Sequence, residues 1–460
     1  MSASVTGVRR YPGLLRLDSV ATRERSVLRR VKIAYGLLFF NTLTYSAGGL
    51  IPLSSKVGKA LPNGALPLAI LLLLTVNPKL KLRPNVFLSL VGLLVLDTIF
   101  TATQQVHLGT DYRTIRFIEF LVALWLMTPW WGRADMLLFR VHLRILYIAL
   151  ISVAVGALLS PGKANFPSGR LTGAVWPMYP TQVAQYGAIA AGLTLLLWIG
   201  RRITGRAAAI GLLFSLVTLI LTHTRTALAA LIIGLLVAGL SLFAVNARVR
   251  SLFGWGALVT SMAVVTAGGF IATWLARGEN GEGLATLTGR TNFWAMVLAE
   301  PRNLFQELFG FGLSNAGVNG LPIDSNWLAS YQQEGLIGVG VCAVILIYLL
   351  VGAFFQISSL RRAIILFLVI YCLLASITED AFEAPSSYLL HLVIAASLLV
   401  GFSSRATATS RGQAIRAPDG SPTDPQPSRP ETEEASVDQA QRNMPNSPPL
   451  TGPPAVDPST

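Results

Sequence analysis

Three arginines, Arg170, Arg225 and Arg290, stand at or beside the ends of apolar stretches, and carboxylates follow at Asp324, Glu379 and Asp380. Guanidinium groups grip phosphate oxygens bidentately and keep their charge, so two or three at a membrane surface suit a diphosphate. The same groups stabilise charge growing on a departing diphosphate. A carboxylate within hydrogen-bond reach can accept the proton of an attacking hydroxyl. Asp324 is one such base, and Glu379 and Asp380 in ITEDAFEAP are its rivals. Each residue also has a plainer use. Arg225 can snorkel to a lipid phosphate, Arg170 can belong to an ordered Gly and Pro connector, and Glu379, Asp380 and Glu383 can form a solvated turn. Arg290 directly precedes a segment, 292–298, that reads as a short amphipathic helix with Phe293 and Trp294 at the interface. Gly310, Gly312, Gly317 and Gly320 then break the chain before a helix carrying Trp327 and Tyr331, two further candidates for substrate contact.

The elements that position these groups are read from composition. The chain has 460 residues, of which 53% are hydrophobic and only 13% charged, with a net charge of +14. Soluble domains carry roughly a quarter charged residues, so this balance excludes an ordinary aqueous protein. Apolar runs of about 20 residues recur between basic flanks, as membrane-spanning helices require. The expected fold is all-α, a polytopic transmembrane bundle of about twelve spans. They are drawn at 33–54, 62–77, 85–103, 116–131, 142–159, 181–200, 207–222, 226–245, 253–274, 332–355, 363–378 and 386–402. Residues 1–32 form a basic N-terminal segment, and the transmembrane bundle occupies 33–402. The first apolar stretch continues like a span, unlike a cleavable leader.

Counted on alternate sides, one face receives 26 Lys and Arg residues and the other 10. By the positive-inside rule the richer face, with both termini, is cytoplasmic. The outer loops are then 160–180, the tight turn His223–Arg225, the long segment 275–331 with its short helices, and the turn 378–385. Nearly every residue with chemical potential falls on that outer face. The expected location is the inner or plasma membrane, multi-pass, with the site extracytoplasmic. Beyond Val400, residues 403–460 hold eleven of the 25 prolines and read as a disordered cytoplasmic tail.

Other chemistries are disfavoured. The inner connections carry no P-loop, so a nucleotide-driven reaction has no cradle there. His107, His142, His223 and His391 are widely separated in sequence and partly on opposite faces, with no HExxH, so no metal and no other cofactor is expected. Cys342 and Cys372 lie within apolar runs. Nucleic acid is not an expected partner, because lipid headgroups and topology account for the basic excess. Asp97 and Glu119 fall inside spans, where each needs a partner or a hydrated cavity. No inverted pair of broken helices is visible.

Four ordered stretches, GRLTGAVWPMYPTQVA from Gly169, THTRTALAALIIGLL from Thr222, TGRTNFW from Thr288 and DSNWLASYQQEGLIG from Asp324, give the chain a resemblance to a known family. Over about 165–380 it resembles the O-antigen ligase and O-antigen polymerase family of integral membrane glycosyltransferases, in the ligase-like core domain. The resemblance implies transfer of a glycan from a polyprenyl diphosphate lipid to an acceptor sugar, without nucleotide or divalent metal. Arg225 matches the family's arginine at the outer end of a membrane helix, and Arg290 the one opening a helix in the large loop; both are tied to the donor diphosphate. Arg170 matches an arginine in the Gly-rich entry segment. The family's histidine falls on Asp324, with Ser325 in place of the following Asn and Gly335 at the end. Asp324 can accept a proton but cannot act as a cationic donor at neutral pH.

The expected activity is thus a metal-independent, inverting transfer by a polysaccharide polymerase or ligase. Its expected partners are a polyprenyl diphosphate-linked glycan, a saccharide or glycolipid acceptor, and membrane lipid. Two other classes remain: a transporter or flippase of an anionic lipid or solute, drawing on Asp97 and Glu119, and a structural protein of envelope assembly.

Overall fold

The computed structural model describes residues 12–43, 49–104, 108–133, 135–165, 169–276, 290–313, 317–318, 321–379, 382 and 384–400. The tail at 403–460, with Asp380, Glu383 and His107, lies outside the described residues.

Helices follow in order: α1 Pro12–Asn41, α2 Ser55–Val76, α3 Val86–Gln104, α4 Leu108–Met127, α5 Leu137–Leu159, α6 Pro161–Ala164, α7 Pro180–Ile199, α8 Gly205–Leu221, α9 Arg225–Phe243 and α10 Ala247–Ala276. After them come α11 Arg290–Leu298, α12 Leu304–Phe309, α13 Asn326–Phe354, α14 Leu360–Ala375 and α15 Ser387–Val400. The strand content among the described residues is a two-residue pair, Gly317–Val318 against Leu321–Pro322. The fold is all-α. Among the described residues six helices, α2, α3, α5, α7, α9 and α13, are long and apolar enough to cross a membrane, while α8 and α15 are shorter apolar helices.

The outward faces match that reading. Ile148, Ile210, Leu213, Ile232 and Leu240 point away from the protein although each is apolar. Such a helix is hydrophobic all round, as lipid contact requires. Lipid gives no hydrophobic drive between helices, so close packing through small residues must hold the bundle together. The Phe367 ring of α14 shows this: it fills space where a Cβ on Gly192 of α7 would lie 2.0 Å from it, and on Gly234 of α9 3.1 Å. Helix α7 is the buried centre, with Tyr186, Ile189 and Leu193 at zero exposure.

The first span was expected to run to residue 54, but α1 ends at Asn41. Its last turn is held by polar groups: Asn41 donates to the Pro62 carbonyl at 2.9 Å, and Arg116 donates to the Asn41 carbonyl at 2.5 Å. Leu50 then returns as irregular chain, its N–H bonded to the Ala174 carbonyl at 2.7 Å. The histidines also differ from expectation. His142 and His391, far apart in sequence, meet in the core, with Nε2 of His142 2.8 Å from Nδ1 of His391 and the Tyr35 hydroxyl 2.7 Å from Nδ1 of His142. Separation along the chain misleads here because α5 and α15 are brought side by side. Phe293, expected at the interface, instead packs with Val297, Ile323 and Ala329 in a small separate core under α11.

Helix α13 is broken at Gly335, which takes φ 67°, ψ −161°. Gly310 adopts nearly the same conformation, φ 75°, ψ −165°, where the loop after α12 meets the break. The two backbones touch: a Cβ on Gly335 would sit 2.3 Å from the Leu308 carbonyl carbon, and one on Gly310 2.4 Å from that of Gln333. The loop occupies acceptors next to the break, because Phe311 and Gly312 N–H groups donate to the Gln332 and Gln333 carbonyls at 2.8 and 2.9 Å. Nearby, the Thr101 hydroxyl of α3 donates to the Phe309 carbonyl at 3.0 Å. One turn earlier Asp97 is 6% exposed, and neither of its carboxylate oxygens has a hydrogen-bond partner among the described residues.

Gly335→Ala forces a side chain into a conformation essentially restricted to glycine, costing about 1–3 kcal/mol before any clash. The expected result is a clear fall in the melting temperature of the detergent-purified protein. Gly340→Ala, with nothing within 4 Å of its added Cβ, should leave melting unchanged.

Candidate functional site

The predicted cations and carboxylates gather at one end of the bundle, around the turn that follows α14. Helices α8 and α9 are joined by only Thr222, His223 and Thr224, a hairpin closed by His223 in the left-handed region at φ 50°. Histidine tolerates that region better than branched residues do. Arg225 therefore opens α9 at the hairpin tip. Arg170 reaches the same tip, donating from Nε to the Thr222 carbonyl at 2.8 Å and from Nη2 to the Thr224 hydroxyl at 3.0 Å. On the other side of Arg225, Thr226 shares a 2.9 Å hydroxyl hydrogen bond with Thr378, the neighbour of Glu379.

A second anchor comes from α13. The Asn326 N–H donates to the carbonyls of Ser376 and Glu379, each at 3.0 Å, and its side-chain oxygen accepts from the Phe382 N–H at 2.5 Å. Asn326 is fully buried, so these bonds pin the turn bearing Glu379. Two residues before it, Asp324 pairs with Arg290, the first residue of α11, at 3.4 Å. Asp324 is half exposed, so the pair itself adds little stability. Arg170, Arg225, Arg290, Asp324 and Glu379 thus share one neighbourhood. The sequence did not single out Asn326, a neutral residue two positions after Asp324.

Glu379 has the most altered electrostatics of the set. Removal of water from its carboxyl raises the pKa to about 7; Arg290 and Arg170 pull it down, and Asp324 pushes it further up. Thr181, at the start of α7, hydrogen-bonds to it and favours the charged form. Desolvation outweighs both arginines, which leaves a carboxyl that changes charge near neutrality. Burial lowers the Arg170 pKa, opposed by Glu379 and assisted by Arg290.

Glu379 also lines a cavity of about 390 Å³. Its wall includes Arg113 and Arg116 of α4, Gln182 and Gln185 of α7, and Gln333 beside the α13 break. Arg170, Arg225, Arg290 and Asp324 are not in that wall, so Glu379 is the predicted residue common to the cationic cluster and the cavity. Nothing in the spacing of Arg113 and Arg116 had marked them; they lie in sequence far from every other site residue.

Neither Trp327 nor Tyr331 lines that cavity. Trp327 is partly buried against the main core. The Tyr331 hydroxyl donates to the Glu307 carboxylate at 2.9 Å, and the Arg302 guanidinium stacks 3.9 Å from its ring centroid. Arg302 bonds also to the Tyr331 carbonyl at 3.0 Å and to the Gln332 side chain, whose amide donates to Glu300. Tyr331 thus ties segment 300–307 to α13. Asp380 lies outside the described residues.

The altered carboxyl can be observed directly. Difference infrared spectra of the purified protein should show a protonated carboxyl band that disappears as pH rises through about 7, and Glu379→Gln should lack that component. A band unaffected by the substitution would assign the titration to another group. Compared with known proteins, the chain matches no family model and no curated protein.

Proposed function

We propose that the protein is a membrane glycosyltransferase that moves a glycan from a polyprenyl diphosphate lipid to an acceptor saccharide hydroxyl, in the manner of O-antigen ligases and polymerases. The single observation that carries this reading is the placing of Arg170 and Arg290 beside Glu379, a carboxyl near neutral pKa that opens on a cavity, with Arg225 at the adjoining hairpin tip. In this reading twelve helices cross the membrane, both termini are cytoplasmic, and the clustered end faces outward.

The acceptor hydroxyl oxygen attacks the anomeric carbon of the donor sugar. The bond from that carbon to the diphosphate breaks, its electron pair stays on the diphosphate oxygen, and the configuration inverts. The hydroxyl proton passes to the ionised Glu379 carboxylate. Arg225 and Arg290, with Arg170 beside them, hold the diphosphate and stabilise its growing charge. Asp324 orients Arg290 through their ion pair. The proton-accepting role moves from Asp324 to Glu379 because Glu379 faces the cavity, while Asp324 is half exposed and engaged with Arg290.

The transporter reading keeps one specific support, the buried unpartnered Asp97 carboxylate on the helix that packs against the broken α13. Flux of a labelled anion in proteoliposomes without bond formation would favour it.

Purified protein given a defined lipid diphosphate glycan and acceptor should form a joined product identifiable by mass. Arg225→Ala and Arg290→Ala, in protein shown to be folded, should each lower turnover by about 100-fold or more. Normal turnover by both would end this mechanism. The wild-type rate should rise with pH to a plateau above about 7, since the base acts when ionised; Glu379→Gln should be slow and lack that rise.

A further inference from the structure

Arg113 and Arg116 have no part in the transfer chemistry above, yet they stand between two cavities. Both line the 390 Å³ cavity that holds Glu379, and both line a second one of about 460 Å³ that also includes Lys59. Thr42, Tyr179 and Pro385 are shared by the two walls, so the cavities adjoin. Among the described residues, no carboxylate forms an ion pair with either guanidinium. Arg113 donates to the Leu313 carbonyl at 2.6 Å, and Arg116 to the carbonyl and side-chain oxygen of Asn41. A guanidinium has five N–H donors, so each retains donors beyond those bonds.

The rest of the Glu379 cavity is lined by neutral hydrogen-bonding groups. The Gln185 side-chain oxygen accepts from the Ser387 hydroxyl at 2.9 Å, while its Nε2, buried in a residue 2% exposed, has no partner among the described residues. Burying an amide N–H without an acceptor costs free energy, which a ligand oxygen would recover. Tyr179, about half exposed, lines both cavities. Amides, hydroxyls and an aromatic ring are groups that bind sugar hydroxyls and ring faces, whereas a lipid headgroup needs little more than charge. Two arginines and a lysine, none in an ion pair with a carboxylate among the described residues, outnumber the one carboxyl, Glu379, in these walls and favour a negative charge on that sugar.

We propose that these adjoining cavities form a saccharide subsite selective for an anionic sugar, with Arg113 and Arg116 binding its carboxylate or phosphate group. The inference rests on the transfer reading for its place in the reaction: it assigns the charged saccharide to the α4 side of Glu379, apart from the donor diphosphate at Arg170, Arg225 and Arg290. Leu313 links the subsite to the broken helix. Its carbonyl orients Arg113, and the loop carrying it is held at Gln332 and Gln333 by Phe311 and Gly312.

The test is direct binding by the full chain in phosphatidylcholine nanodiscs with no donor lipid, so its result does not depend on turnover. The probes are tetragalacturonate, maltotetraose carrying a terminal phosphate, and neutral maltotetraose. At least one anionic probe should bind about tenfold more tightly than the neutral one, the scale of a single charge-assisted hydrogen bond. Which anionic probe is preferred identifies the charged group. Arg113→Gln should abolish the preference and Arg113→Lys should retain much of it; Arg113 is the better target because Arg116 also anchors α1. Equal binding of all three probes, a preference intact in Arg113→Gln, or full competition by inorganic phosphate alone or by phosphatidylglycerol in the nanodisc would overturn the proposal. A failure here with normal loss of transfer in the donor-arginine variants would remove only the subsite, not the transferase reading.

Discussion

A peptide carbonyl left open inside an apolar helix must find a donor from the protein, because lipid supplies none. The break of α13 at Gly335 meets that constraint by drawing the loop after α12 against it, and much of the site follows from the contact. Phe311 and Gly312 bond the Gln332 and Gln333 carbonyls, and the reciprocal approach of Gly310 and Gly335 leaves no room for a side chain on either. The same contact sets Leu313 beside Arg113 and Gln333 in the cavity wall. Ahead of the break, Asn326 fastens the turn that carries Glu379.

Charge is distributed around this frame in two groups. Arg170 and Arg290 lie near carboxylates, so their field is partly balanced, and Glu379 remains poised near neutrality because desolvation exceeds their attraction. Arg113 and Arg116 line a cavity with Glu379 and form no ion pair with a carboxylate among the described residues. A carboxyl that titrates near pH 7 between two cationic regions has the protonation range of a general base. The structure thereby separates two groups of cations that composition alone would merge.

The legible part of the site was the part written in local pattern. Arg225 at a helix start and Arg290 opening a short helix could be placed from the apolar runs and the Gly-rich loop, and both are first residues of helices. The rivalry between Asp324 and Glu379 could not be resolved from spacing, since both follow Arg290 in segments between apolar runs. Packing separates them: Asp324 is drawn to Arg290, whereas Glu379 is enclosed by α7, α13 and the hairpin tip. Tyr331, read as a substrate contact, is part of the brace formed with Arg302 and Glu307, which only the position of α12 reveals.

What the amino-acid order determined by itself is the chain's solvent and the helical character of its elements. Low charge and repeated apolar runs require helices that satisfy their own backbone, since those runs cannot stay in water. Which polar groups meet was decided only by tertiary structure. His142 finds His391, Asn41 finds Arg116, and Arg113 joins Glu379 in one cavity through helix rotation and close packing over large sequence separations. An apolar helix of this kind carries no strong one-sided pattern to announce its orientation, so small-residue contacts such as Phe367 against Gly192 and Gly234 choose it.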